Sequence, residues 1–450
     1  MDGLRTRGQP GAVAATRAML RSGIPHAVLF VGPPGVGKTT LALDVAAALL
    51  CVALDPETRP DGTCRACHQV AHGNHPDLHR LEPTGAGSVI PIGGHGERGV
   101  RDLLADLALM PVEGGARVAV VAAADRMTED SQSALLKTLE EPPPGAILLL
   151  CASDEERLLP TIRSRCVRIR LGPLSIADVA AIVAEQDPAD APTATRFARL
   201  SGGRPGIALA YARAPEAAAI RGEIARTLLD LLPGSRTSRL TGVRDLALRA
   251  GQLLASLEAG LRRAEPATSA LQRGGKRPAR TKVVVTAAAL DPTTTDMAAL
   301  EPRAADQAAA DPAPLEPAEE GGRTARVPAA ERRAAAIALV DIWRETVRDL
   351  ALVGLGDRST VRDPELIEDL EGAAELVGPA AAAAQLRRLE AGGEQLAGNV
   401  SPELVLDVLA LAWRPAAAPA ARGAVAPGSP GRGLAASSPA ARRPAATPAP

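Results

Sequence analysis

Lys38 and Thr39 carry the clearest chemistry in this sequence. They end the run Gly32-Pro33-Pro34-Gly35-Val36-Gly37-Lys38-Thr39, followed by Thr40. The spacing is that of a phosphate-binding loop, G-x-x-x-x-G-K-[ST]. Glycines let backbone N–H groups turn inward and close around phosphate oxygens. The lysine adds a point charge for the β and γ phosphates, and the threonine hydroxyl ligates Mg²⁺. Such a loop needs a strand before it and a helix after it. Val28-Leu29-Phe30-Val31 is the apolar run that supplies the strand, and residues 41–50 read as the helix. The candidate nucleotide-binding residues are therefore Gly32, Pro33, Pro34, Gly35, Val36, Gly37, Lys38, Thr39 and Thr40, and the expected ligand is ATP or ADP with Mg²⁺.

A second group has the composition of a metal site. Cys64-Arg65-Ala66-Cys67 has zinc-knuckle spacing, and Cys51 stands ahead of it as a third thiolate. Asp61 and His68 are both local candidates for a fourth ligand, because Zn²⁺ accepts oxygen and imidazole donors. The same residues also fit free thiols around a site that holds no metal. With zinc the site would be structural, since nothing beside it suggests an activated water.

Cleaving a nucleotide takes more than holding it. Residues 117–124, Arg-Val-Ala-Val-Val-Ala-Ala-Ala, read as a second buried strand. At its end an Asp should hold Mg²⁺ through water and a Glu should polarise the attacking water. Ala122 and Ala123 stand there instead. Asp125 follows, either capping the helix that begins near Thr128 or serving Mg²⁺ in their place. A third apolar strand, 147–151, ends at Ser153-Asp154, where a polar residue can sense a γ-phosphate or simply close a strand. The site is equipped to hold a nucleotide and poorly equipped to cleave it.

The elements around these residues follow from periodicity and turn chemistry. Residues 8–21 carry Ala, Val and Leu at helical spacing, and Gly23 stops them. Residues 77–92 read as a glycine-rich loop. Residues 100–109 form a short amphipathic helix with Val100, Leu103, Leu104 and Leu107 on one face. Residues 131–141 form another helix, stopped by Pro142-Pro143-Pro144. Leu159-Pro160-Thr161-Ile162-Arg163-Ser164-Arg165-Cys166 leads into a short alternating strand at 167–171.

Taken in order, several of these runs resemble one family: 26–35; Ala124-Asp125-Arg126-Met127-Thr128; Ala134-Leu135-Leu136-Lys137-Thr138-Leu139-Glu140-Glu141-Pro142-Pro143; and Ser164-Arg165-Cys166. They are similar to the bacterial clamp-loader subunits of DNA polymerase III, a branch of the AAA+ ATPases. The resemblance covers residues 8–230 well and the rest more loosely. It implies an α/β AAA+ P-loop core with a parallel sheet, a small helical lid and an all-α C-terminal collar domain. It also implies that Arg165 is an arginine finger acting on a neighbouring subunit's ATP. The cysteines sit where this family carries a four-cysteine zinc module, with Asp61 about where one cysteine is expected. The motor subunits of the family, gamma and tau, have Asp-Glu where this chain has Ala122-Ala123. Loss of that pair with retention of Ser-Arg-Cys resembles a rigid, non-motor ring member. The implied partners are gamma/tau and delta subunits in a hetero-pentameric ring, with the sliding clamp and primer-template DNA reached through the complex.

With 450 residues the chain exceeds one core. The expected parts are an AAA+ domain at 1–171 with the cysteine module at 51–79, a lid at 172–215, and a collar at 216–264 and 328–414. An insert at 265–327 and a tail at 415–450, rich in Ala and Pro and almost without large apolar residues, read as disordered. A basic front to that insert lacks the interleaved aromatics that stack on bases. Net charge is −1, so nothing global draws the chain to nucleic acid or acidic membranes. Residues 1–10 are polar and basic with no apolar run behind them, no stretch reaches the ~20 apolar residues of a membrane span, and five cysteines do not form a secreted framework. The cytoplasm is the expected compartment. Within the lid, Ser175-Ile176-Ala177-Asp178 starts a helix, and Arg204 stands where AAA+ lids carry a phosphate-sensing arginine, or is a solvent-exposed arginine at a turn. Helices are expected at 228–263, 328–355, 366–376, 380–389 and 402–413. Two other functions fit the residues: an active gamma/tau-like ATPase that recruits Asp125, and a zinc-dependent nucleic-acid-binding module with a vestigial ATPase core.

Overall fold

The computed structural model describes residues 3–83, 89–94, 97–113, 115–187, 189–262, 327–398 and 400–414. Its first part is a parallel five-stranded sheet between two helical layers. In chain order the elements are α1 (Pro10–Ser22), β1 (Ala27–Val31), α2 (Lys38–Leu50), α3 (Arg65–Ala71), β2 (Leu78–Leu81), α4 (Val100–Leu107), β3 (Arg117–Val121), α5 (Glu129–Glu140), β4 (Ala146–Ala152), α6 (Pro160–Arg163) and β5 (Val167–Arg170). The strands lie in the order β2-β3-β4-β1-β5.

The three inner strands are apolar apart from Arg117 at the start of β3, because helices cover both faces and leave little room for polar residues. Every residue of β1, β3 and β4 is buried. Alternation sorts the β1 side chains. Val28 and Phe30 join Leu41 and Val45 of α2, whereas Leu29 and Val31 join Leu103 and Leu107 of α4 and Leu135 and Leu139 of α5. The outer strand β5 keeps Ile169 inside and exposes Val167, Arg168 and Arg170, the charged edge that discourages further pairing. The expected loop at 77–92 contains the other edge strand: β2 pairs Leu78 with Val118 and Leu81 with Val121. Its sequence, Leu-His-Arg-Leu, is too short and too polar to stand out as an apolar run.

The chain leaves β1 towards β2 on one side and leaves β4 towards β5 on the other. Such a reversal opens a crevice at the carboxyl ends of the strands. The Gly32–Lys38 turn sits there with Ser153 as its neighbour, and the Ala124–Arg126 turn lies against β4.

The second part is helical: α7 (Ile176–Gln186), α8 (Ala191–Leu200), α9 (Pro205–Arg213), α10 (Pro215–Asp230), α11 (Arg236–Arg262), α12 (Ala329–Gly354), α13 (Ile367–Leu376), α14 (Pro379–Ala397) and α15 (Pro402–Ala412). One core runs from Val179 through Trp343 to Trp413 without interruption at residue 215. Trp343 and Trp413 meet edge to face at 5.7 Å between centroids, and Trp413 Nε1 donates to Leu228 O. The single helix expected at 228–263 is two, broken at Pro233-Gly234, because proline cannot continue α10. The helix expected at 380–389 runs on to Ala397 through Gly392, where a Cβ would stand 2.9 Å from Leu409, so the glycine lets α15 approach α14 closely. The insert (except Val327) and the tail expected to be disordered lie outside the described residues.

Candidate nucleotide site

The phosphate-binding loop is anchored from several directions. Gly32 N donates to Ala152 O, closing the loop onto β4. A Cβ on Gly32 would fall 2.1 Å from Leu171 O, so only glycine lets the chain leaving β5 pass so near. Gln9 Nε2 donates to Gly172 O at 2.7 Å and Val36 O at 3.4 Å. From the helical part, Gly206 N donates to Gly35 O, and the first turn of α9 rests on the loop. Gly37 takes a left-handed φ of 102° as the N-cap of α2, which aims the positive end of that helix into the turn.

Lys38 is buried, and its ammonium folds back on the loop. Nζ donates to Gly32 O (2.6 Å), Pro33 O (2.9 Å) and Ser153 Oγ (3.2 Å). Burial lowers its pKa, while the nearby Cys151 and Asp125 raise it in part. These contacts occupy an ammonium that an anion in the loop would otherwise draw. Ser153 thus lies at the loop, whereas Asp154 turns away and accepts from Glu156 N. Cys151 is fully buried behind Lys38, and burial pushes its thiol up to about 12.

The end of β3 carries the half-buried Ala122 and Ala123, with Ala122 N bonded to Leu81 O. Asp125 does not cap the following helix, as one reading of the sequence held. Thr128 does so, its hydroxyl accepting from Ser131 N. Asp125 lies instead in the 3-10 turn Ala124–Arg126.

Arg165 sits between α6 and β5, in a turn whose next residue, Cys166, is buried in the core. Its guanidinium donates to Glu140 Oε1 (2.7 Å) and Thr161 O (3.1 Å), and the side chain stays about one-third exposed. Gln132 steadies this segment. It is buried, and its amide spans Leu159 N (2.8 Å), Arg157 O (3.1 Å) and Met127 O (3.3 Å). Sequence reasoning missed Gln132 and Gln9 because the partners of each are backbone groups remote in sequence. Their only signal was an amide inside an otherwise helical or apolar pattern. Arg204 lies two residues before the loop contact, but its Nε donates to Ser201 O and its charge acts on Glu345 and Asp341 of α12.

Cys51, Asp61, Cys64 and Cys67 converge, with their ligand atoms within 4.8 Å of one another. Cys51 follows α2, and Cys64 caps α3, accepting from Cys67 N. Asp61 Oδ1 accepts from Thr63 N and Cys64 N, each at 3.0 Å, which holds its carboxyl well below the usual range. Burial pushes the Cys67 thiol up. His68 is exposed and outside this group. Three thiols and one carboxylate within this span are a donor set that Zn²⁺ accepts.

Residues 8–175 match the family model described as DNA polymerase III, delta subunit. The DNA polymerase III subunit delta' of Pseudomonas aeruginosa is 38% identical over 148 residues, which cover 32% of this chain and 42% of that protein. The delta' subunit of Escherichia coli is 34% identical over 186 residues, 41% of this chain and 54% of that protein. The tau subunit of Escherichia coli is 31% identical over 156 residues, 35% of this chain and 23% of that protein. The chain spans about half the length of the delta' relatives it matches. Both the phosphate-binding loop and the Ser164-Arg165-Cys166 turn fall inside residues 8–175, the part of the chain that is similar to DNA polymerase III delta and delta' subunits.

Proposed function

We propose that this chain is the delta-prime subunit of a DNA polymerase III clamp loader. In this reading it is a nucleotide-binding stator with little or no hydrolysis of its own. It presents Arg165 to the ATP of a neighbouring subunit and helps place the sliding clamp on primed DNA in the cytoplasm. The observation that carries the reading is a contrast within one domain. The phosphate-binding loop is intact around Lys38, while the strand end that should activate water carries Ala122 and Ala123. Phosphoryl transfer is mainly positioning and charge stabilisation, so a protomer can lend a guanidinium without cleaving ATP itself.

The partners in this reading are gamma/tau and delta subunits, joined through a collar at 216–264 and 328–414, with residues 172–215 as the lid. Cys51, Asp61, Cys64 and Cys67 would hold Zn²⁺ as a structural clamp on the segment after α2. No described helix is long and apolar enough to cross a membrane. The similarity to tau keeps a second reading in view, an active gamma/tau-like ATPase. Two measurements on the purified chain test the proposal. It should bind Mg²⁺-ADP and show no ATP turnover above background when alone. Steady turnover abolished by Lys38→Ala would replace the stator reading with the motor reading.

A further inference from the structure

Asp125 holds a group that the nucleotide site has so far left unused. Its Oδ1 is sealed from solvent and accepts no hydrogen bond from the described residues. A buried carboxylate oxygen without a partner is costly, and an ion or ordered water is the usual explanation. The 3-10 turn Ala124–Arg126 carries it past the end of β3, and the turn lies against β4. The end of β4 is where Ser153 meets the Lys38 ammonium. The Asp125 charge is felt at both the Lys38 ammonium and the buried Cys151 thiol, and the Thr39 hydroxyl acts on that same thiol. Thr39 is the residue type that ligates Mg²⁺ in such a loop.

We propose that Asp125 supplies the carboxylate that Ala122 and Ala123 lack, holding the water shell of a Mg²⁺ that enters with a nucleotide on the phosphate-binding loop. Mg²⁺ suits this arrangement because it keeps several waters and is held by one or two carboxylates together with phosphates. No second acid stands at the strand end to orient an attacking water. The result is a site that retains Mg²⁺-nucleotide without turning it over. The inference rests on the proposal that this loop binds nucleotide.

The test is binding of a fluorescent ADP analogue to the full chain, with Mg²⁺ or with EDTA, for wild type and Asp125→Asn. Wild type should bind more weakly in EDTA than in Mg²⁺, by at least the factor that Asp125→Asn loses in Mg²⁺, about 10- to 100-fold for a partner that holds a metal's water shell. Asp125→Asn should bind more weakly than wild type in Mg²⁺ and at least as tightly in EDTA, because the lost carboxylate no longer repels phosphate. A purely structural role would weaken binding under both conditions. Equal weakening, or a full Mg²⁺ dependence retained by Asp125→Asn, overturns the inference and leaves nucleotide binding standing. No binding by wild type under either condition overturns both. As a check free of substitution, Mn²⁺ added with ADP to wild type should give the magnetic-resonance spectrum of a protein-bound ion, and a spectrum of free Mn²⁺-ADP overturns the inference.

Discussion

Lys38 directs its three protons to Gly32 O, Pro33 O and Ser153 Oγ, so the side chain that a phosphate would recruit also ties the loop to itself and to the end of β4. Losing one charge-assisted contact costs about 1.5–3 kcal/mol, roughly 10- to 150-fold in affinity. Lys38→Ala should weaken Mg²⁺-ADP binding by at least that factor in a fluorescence titration, and unchanged affinity would place the nucleotide elsewhere. At the cysteines, purified protein should carry about one Zn²⁺ per chain by elemental analysis, and Asp61→Ala should lower that content. Full retention of zinc in Asp61→Ala would leave the three thiols as the working set. The loop and the four metal candidates were legible in the sequence because each set is local, with spacing that is itself the signal. Asp125 was only half legible. Its type was visible, but the turn that carries it depends on where β3 ends, one residue before Ala122.

At the scale of elements, long apolar runs were readable and short polar ones were not. β1, β3 and β4 announce themselves as buried strands because both their faces are covered. β2 is made by its partner β3 rather than by its own four residues. The break between α10 and α11 was signalled by Pro233-Gly234 and overridden by the leucines on either side. Gln132 shows how a helix fixes a loop: its amide satisfies three backbone groups of two segments at once. Gln132→Ala strands those groups, and each unsatisfied buried group costs about 1–3 kcal/mol. Hydrogen exchange should therefore rise locally over residues 157–166 while α2 stays protected. Uniform exchange across the domain would show that Gln132 supports the whole fold and not the Arg165 segment in particular.

At the scale of the molecule, the helices from α7 to α15 share one apolar core crossed by buried charge. Arg221 pairs with Glu345 at 2.5 Å, Arg362 pairs with the same carboxylate, and Arg196 of α8 reaches Asp363. Burial alone would raise the Glu345 carboxyl, but Arg221 and Arg362 outweigh it and hold its pKa below the usual value. The folded state therefore binds this proton less tightly than the unfolded chain. The stabilisation is complete above about pH 5 and fades as pH falls through the folded pKa. Glu345→Gln should cost about 3–5 kcal/mol at pH 7, the penalty of a broken buried pair, and its melting temperature should fall less than wild type's between pH 7 and pH 4. Parallel acid profiles for the two proteins would remove Glu345 from the account. None of these pairs was legible in the sequence, since Arg221 and Glu345 stand 124 residues apart.

The same scale holds the central claim, that this chain lends a guanidinium to a neighbour and does not itself cleave ATP. The proposed role needs an Arg165 that can change partners: it lies on a turn anchored by Cys166, about one-third exposed, and among the described residues it pairs with the surface residue Glu140 and with Thr161 O, contacts of the modest worth that surface pairs have. The most direct measurement is ATP turnover by the purified chain, alone and mixed with its own gamma/tau and delta subunits, for wild type and Arg165→Ala. The account predicts no turnover alone, stimulated turnover in the mixture, and a fall of about 10³-fold or more in the Arg165-dependent part of that rate in the variant. Steady turnover by the chain alone, or a mixture whose rate is indifferent to Arg165→Ala, would contradict it.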